Sequence, residues 1–282
     1  MIAEAVRNYL RENGSGEVVS VRSVGGGCIN HGERLTTTSG LTYFLKTNRG
    51  APIEMFVREA EGLERLRIAG GPRVPQPYLY ASDFLLLEDL DPGTRRPDYW
   101  EVFGRQMGIL HQNTGPLFGF THDNFIGSTP QSNQWMQDGH TFFGEQRLLY
   151  QAWLAQRRGL LGQVEVKQVE RLTTRLPELI PAQPASLIHG DLWTGNALAD
   201  RDGNPAIIDP AAHYGWAEAE LAMTALFGTF PESFYQAYQE VRRLETGFWK
   251  RFPIYNLYHL LNHLNLFGSG YYGQVMGSLS RF

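Results

Sequence analysis

Leu187-Ile-His-Gly-Asp-Leu-Trp-Thr-Gly-Asn196, followed by Ala206-Ile-Ile-Asp209, is the stretch on which the fold turns. Asp191 and Asn196 stand five residues apart, and Asp209 closes a short apolar run before Pro210. Between them, Arg201-Asp-Gly-Asn204 carries an Asp-Gly turn signal flanked by Ala197-Leu198 and Ile207-Ile208, which predicts a hairpin. With Asp202 and Gly203 as the central turn residues, Asn196 lies directly opposite Asp209 and on the same face. A three-residue loop would shift that register by one. Taken singly, Asp191 is a turn cap, Asn196 a loop residue and Asp209 a strand end. Around one hairpin they gather three oxygen-bearing side chains, with His189 as an imidazole that holds the loop.

The rest of the composition narrows the class. A chain of 282 residues that is 42% hydrophobic can bury one large core or two smaller ones. A net charge of -4, with no dense run of Lys or Arg, argues against an electrostatic nucleic-acid partner. The single cysteine, Cys28, excludes an internal disulfide framework and fits a reducing compartment. The first ten residues mix acids and bases as a short amphipathic helix would, and they lack a secretory apolar region. Phe84-Leu-Leu-Leu87 is far too short to span a bilayer. A soluble, cytoplasmic protein with no membrane partner is the expectation.

Residues 18–48 read as strands around Gly25-Gly-Gly-Cys-Ile-Asn30, and a helix follows from about Glu54 to Ile68, stopped by Gly70-Gly71-Pro72. Phe84–Leu90 reads as a buried strand that runs out at Asp91-Pro92-Gly93. Beyond it the pattern is helical. Asp98 precedes Glu101 by three, an acidic variant of a capping box. Trp100, Phe103, Met107 and Leu110 then recur at helical steps, and further helices are predicted over 141–160, 165–176, 217–228, 232–245 and 248–267. The expected architecture is α+β and bilobal. Residues 1–90 form a small sheet-plus-helix lobe for a nucleotide, and residues 91–282 form a larger, mainly helical lobe for catalysis and the acceptor.

The chemistry follows from these residue types. The Asp191-to-Asn196 spacing is that of a kinase catalytic loop, where the Asp takes the acceptor proton and the Asn, with a later Asp, holds Mg²⁺ beside the phosphates of ATP. Gly25, Gly26 and Gly27 let backbone N–H groups approach phosphates, although the third position of a G-x-G-x-x-G pattern is Asn30. Lys46 ends an alternating strand and is the candidate phosphate ligand. Glu59 shares a helix face with Met55, Leu63 and Leu66, where a carboxylate needs a partner, and Lys46 is the natural one. Glu88 and Leu90 fall at the hinge, where their backbone groups would hold adenine. Trp193 is read as either an acceptor platform or a core aromatic. His259 and His263, at helical spacing among leucines, read as helix packing rather than a metal pair.

These motifs resemble the fructosamine (ketosamine) kinase family, relatives of aminoglycoside and choline kinases with a protein-kinase-like fold. The resemblance spans nearly the whole chain. It includes Gly25–Asn30, Lys46, Glu59, Phe118-Gly-Phe120, Asp123-Asn124 with Gly127-Ser-Thr-Pro-Gln131, Trp135, His189–Asn196, and Asp209-Pro-Ala211 through Tyr214-Gly215 to Leu226-Phe-Gly228. It implies ATP- and Mg²⁺-dependent phosphorylation of the 3-hydroxyl of a ketosamine, free or lysine-linked, a step that repairs glycated amines. It also implies Asp191 as base, Asn196 and Asp209 as metal ligands, and acids such as Glu218 and Glu220 that brace the loop or reach the acceptor. A cysteine at position 28 implies redox control in a monomer or a bridged homodimer.

Three positions depart from the family pattern: Gly139 where Trp is common, Tyr150 where Pro is usual, and Trp216 where His is usual. By sequence order they fall toward the acceptor, which makes Trp216 a candidate substrate residue and tilts the expectation toward ribulosamines over fructosamines. The rival readings are a kinase for another hydroxylated acceptor, such as an aminoglycoside, choline or a sugar, and an inactive nucleotide-binding protein.

Overall fold

The structure, a computed structural model, describes residues 2–25 and 30–282. The expectations for Gly26, Gly27 and Cys28 lie outside the described residues. Helix α1 (Glu4–Glu12) precedes β1 (Val18–Val24), β2 (His31–Thr37) and β3 (Thr42–Thr47). Helix α2 (Met55–Leu66), β4 (Pro77–Tyr80) and β5 (Phe84–Glu88) follow. Among the described residues these strands make one antiparallel sheet in the order β1-β2-β3-β5-β4.

Strand periodicity explains the unbroken apolar run in β5. Phe84 and Leu86 face Leu45 of β3 and Val6 and Leu10 of α1. Leu85 and Leu87 point the other way, into the core that holds Phe56, Ala60 and Leu63 of α2. A strand covered on both faces has no use for polar alternation. The same period sends Tyr43 and Leu45 toward α1 and leaves Lys46 on the α2 side. Each fully buried Leu contributes roughly 1.5–3 kcal/mol, so this register is strongly set.

The remainder is mostly helical: α3 (Tyr99–Gln112), α4 (Gly139–Phe142), a π-helical turn (Phe143–Leu149), α5 (Tyr150–Arg157), α6 (Gln163–Leu179), α7 (Ala217–Met223), α8 (Glu232–Val241), α9 (Phe248–Phe267), a 3₁₀ turn (Ser269–Tyr271) and α10 (Tyr272–Leu279). Short strands thread between them: β6 (Thr114–Gly115), β7 (Asn124–Ile126), β8 (Thr129–Gln131), β9 (Ala185–Ile188), β10 (Ala197–Ala199), β11 (Pro205–Ile207) and β12 (His213–Gly215). Phe103, Met107 and Leu110 of α3 are buried as their spacing predicted. Asp98 does not cap that helix; Arg96 takes its carboxylate instead. Among the described residues no helix is long and apolar enough to cross a membrane.

Candidate active site

The catalytic loop hangs between β9 and β10. Gly190 has φ +84°, and a Cβ there would come within 2.3 Å of the Ala211 carbonyl, so only glycine lets the loop pass. His189 is fully buried. The Asp191 N–H donates to its Nδ1 (3.2 Å), which leaves Nε2 to donate to the Ile208 carbonyl (2.8 Å). Burial keeps this imidazole neutral, its pKa below the ordinary value. It holds the loop, as its sequence context suggested.

The hairpin forms, but with a different register. Ala197 pairs with Ile207, Leu198 with Ala206 and Ala199 with Pro205. The loop is Arg201-Asp202-Gly203, closed by Asp200 N–H to Asn204 O (2.9 Å), with Gly203 at φ +83°. Asn196 therefore accepts from the Ile208 N–H (3.2 Å), and Asp209 is not its cross-strand partner. Asp200 stabilises the longer loop by accepting from the N–H groups of Asp202 (3.0 Å) and Asn204 (2.9 Å). Asp209 then sits past the ladder at φ +59°, a left-handed conformation that re-aims its side chain.

That turn brings Asp209 to Lys46. The Lys46 ammonium contacts both Glu59 of α2 and Asp209. Burial opposes its charge, but the two carboxylates outweigh burial and raise its pKa above the usual lysine value. The strand-lysine/helix-glutamate pair predicted from helix periodicity is therefore present in space.

Asn196 Nδ2 donates to the Asp191 carbonyl (2.8 Å) and to Asp191 Oδ2 (3.3 Å). This orientation leaves Asn196 Oδ1 uncommitted, and the Asp209 side chain keeps 40% of its surface exposed. Two hard oxygen donors of this kind, completed by phosphate and water, suit Mg²⁺. Burial and the carboxylates of Asp209 and Glu220 push Asp191 well above the ordinary carboxylate range, against the pull of Asn196.

Other expected positions fall elsewhere. The Glu88 N–H is spent on the Gln76 carbonyl (2.8 Å), and its carboxylate accepts from Arg73 (2.6 Å) and from the Gln76 N–H (3.2 Å). The Leu90 carbonyl accepts from the Arg201 N–H (3.1 Å), while no acceptor for the Leu90 N–H appears among the described residues. Gly25, just past β1, is exposed. Trp193 is half-buried, lies over Gly195 and meets Phe227 edge-on at 6.5 Å.

Glu218 is 2% exposed and accepts from Arg251 Nε (2.7 Å), Arg251 Nη2 (2.6 Å) and Tyr255 OH (3.1 Å), so it pins α7 to α9 and is not a substrate contact. Trp216 is buried among Phe118, Phe143 and Tyr255. A Cβ on Gly139 would meet its Nε1 at 2.8 Å. The departures at 139 and 216 are thus one buried accommodation, the indole filling the room beside a glycine. Of the three departures behind the tilt toward ribulosamines, only Tyr150, half-buried at the start of α5, falls outside this accommodation. His263 Nδ1 bonds the His259 carbonyl (2.9 Å), in keeping with helix packing.

Glu220 is the residue whose importance the sequence understated. It is 1% exposed and accepts from the N–H groups of His189 and Gly190 (2.9 Å for the latter). Burial works against its charge, but His111, His189 and these N–H groups hold its pKa below the usual value. Sequence offers one signal, an acid two residues from another on a helix otherwise built of Ala, Leu and Met.

A model of the fructosamine kinase family matches residues 1–282. A probable ketoamine kinase of Synechocystis sp. is 43% identical over 265 residues, covering 92% of this chain and 89% of that protein. The chloroplastic protein-ribulosamine 3-kinase of Arabidopsis thaliana is 38% identical over 292 residues, covering 100% of this chain and 88% of that protein. A crystal structure from Thermobifida fusca, provisionally named a fructosamine-3-kinase, superposes with a TM-score of 0.89 at 35% identity, covering 99% of this chain and 98% of that one. A choline kinase of Streptococcus pneumoniae shares the fold alone, with a TM-score of 0.66 at 15% identity over 99% of both chains. The architecture is α+β and protein-kinase-like.

Proposed function

We propose that this chain, which belongs to the fructosamine kinase family, moves the γ-phosphoryl group of ATP to the 3-hydroxyl of a ketosamine. The acceptor oxygen bonds to the γ-phosphorus, the bond to the β–γ bridging oxygen breaks, and ADP leaves. Asp191 takes the hydroxyl proton. A carboxyl whose pKa is raised by desolvation and neighbouring carboxylates is a stronger base than a free one. Lys46 supplies positive charge at the phosphates, with Glu59 holding it in place. Asn196 and Asp209 would hold Mg²⁺, which when bound neutralises phosphate charge. The Leu90 N–H offers a donor for adenine. Trp193, half-exposed two residues past the base, offers a face for the sugar or the amine stem.

The observation that carries this reading is the joining of Lys46 to Glu59 and Asp209, with a half-buried Asp191 oriented by Asn196. An inactive nucleotide-binding relative would have no need of the whole set. The test is ADP release with ATP and Mg²⁺ on ribulosyl-lysine, fructosyl-lysine, an aminoglycoside and choline. Release is expected with the ketosamines. Asp191→Asn should lower it at least about a hundredfold while ATP still binds. Release with only the aminoglycoside or choline, or an Asp191→Asn variant that turns over normally, would overturn the reading.

A further inference from the structure

Behind the catalytic hairpin runs a chain of buried polar side chains that take no part in the transfer just described. Tyr258 OH donates to Gln131 Oε1 (2.6 Å). Gln131 Nε2 donates to the Ala211 carbonyl (3.1 Å) and to Asn124 Oδ1 (2.7 Å). Asn124 Nδ2 donates to the Ala212 carbonyl (2.8 Å), and Asn133 Nδ2 donates to Asn124 Oδ1 (2.9 Å). Arg147, on the π-helical turn, donates from Nη2 to Asn133 Oδ1 (2.7 Å). Gln131, Asn133 and Arg147 are each 1% exposed, and Asn124 and Tyr258 are each 4% exposed.

The polarity of this chain is fixed from one end. A guanidinium only donates, so Asn133 must present its oxygen to Arg147 and its nitrogen to Asn124. Asn124 must then present its oxygen inward and its nitrogen to Ala212. Gln131 is set the same way, its oxygen claimed by Tyr258 and both its N–H groups spent on Asn124 and Ala211. A buried network in which each amide has one satisfying orientation is rigid.

It ends on the two carbonyls just beyond Asp209-Pro210. Asp209 itself has φ +59°, a left-handed conformation that is unfavourable for an L-residue, and it precedes a proline. Such a conformation persists where its surroundings over-determine it. Here the hold comes from the Ala211 N–H to His189 O (2.9 Å) on one side and from Gln131 and Asn124 on the other.

We propose that Gln131 and Asn124 are positioning residues that set the direction of the Asp209 carboxylate, and so the protein's affinity for the metal that accompanies the nucleotide. This rests on the phosphoryl-transfer reading, in which Asp209 is a metal ligand. Loss of the grip lets the segment after Asp209 relax, and the carboxylate loses the direction in which it would meet the metal.

The test measures binding of a fluorescent ATP analogue without acceptor, across a Mg²⁺ titration and in EDTA. In Gln131→Met the Mg²⁺ needed for half-maximal binding should rise about tenfold or more, with affinity in EDTA unchanged. Tyr258→Phe leaves Gln131 Oε1 without its donor and loosens that side chain without emptying the core, and it should shift the same midpoint less, in the same direction. A merely structural role would lower stability and leave the Mg²⁺ midpoint in place. A folded Gln131→Met protein with the wild-type midpoint would overturn the inference. Should Gln131→Met fail to fold, an unmoved midpoint in Tyr258→Phe overturns it equally. Because no acceptor is present, failure to phosphorylate ketosamines would count against the proposed activity alone.

Discussion

Lys46 and Arg73 each stand between an acid from the N-terminal sheet region and an acid from the catalytic hairpin. Lys46 contacts Glu59 and Asp209; Arg73 contacts Glu88 (2.6 Å) and Asp200 (2.7 Å). The resemblance ends there. The Lys46 side chain is 7% exposed, and its outer partner, Asp209, is 40% exposed and open to the cleft. Arg73 is 37% exposed and is also built into the backbone: its N–H donates to Pro205 O (3.1 Å), and its carbonyl accepts from the Ile207 N–H (2.9 Å). A point charge on a flexible stem can exchange a carboxylate for a phosphate, whereas a planar fork locked to a strand holds its geometry. One junction is therefore suited to exchanging partners and the other to holding two segments fixed.

The largest expected effect comes from Lys46→Met. It removes the phosphate charge and strands a buried Glu59, so turnover should fall about 10²–10³-fold and stability by roughly 3–5 kcal/mol, read by ADP release and denaturant melts. Near-normal turnover would erase the distinction between the two junctions. Arg73→Met should cost roughly 1–2 kcal/mol and leave turnover at saturating nucleotide little changed. A collapse of turnover with only a small loss of stability would make the Arg73 junction part of the chemistry.

The smallest effects are in pH. Burial disfavours the Asp200 charge, but Arg73 and the N–H groups of Asn204 and Asp202 outweigh it and hold its pKa below the ordinary value. With a depressed folded value, its contribution is present above the unfolded pKa of about 3.9 and is lost as pH falls through the folded value. The Tm difference between wild type and Asp200→Asn should therefore be constant near neutrality and close in acid below about pH 4. Lys46 behaves oppositely. Its folded pKa is raised, so its contribution is complete below the unfolded value of about 10.4 and disappears only as pH climbs through the folded one. Burial holds the Glu59 pKa above the ordinary carboxylate value, so in acid the Lys46 junction should loosen before the Arg73 junction, and the reverse order would remove the contrast.

Much of this was legible along the chain because it depends on short spacings. Glu59 was placed on an apolar helix face, and the structure pairs it with Lys46. The five-residue step from Asp191 to Asn196 brings their side chains to 3.3 Å. The hairpin was legible but its register was not. Asp-Gly satisfies a two-residue turn as well as a three-residue loop ending in a left-handed glycine, and Asp200, one residue earlier, tips the balance by capping two N–H groups of the longer loop. Glu218 is an acid near the site by sequence, but its carboxylate is taken by Arg251, a partner 33 residues away that spacing does not reveal.

From the sequence alone came the residue types and the local geometry: a strand that must send Lys46 away from α1, a helix that must turn Glu59 inward, and a loop that must carry an aspartate and an asparagine together. Tertiary structure alone decided which charge meets which. Lys46 and Asp209 are 163 residues apart, and Arg73 and Asp200 are 127 apart. Periodicity acts over a few residues and says nothing at such separations. There the partner is chosen by which buried charge the packed fold leaves within reach, because an unpaired one is too costly to keep.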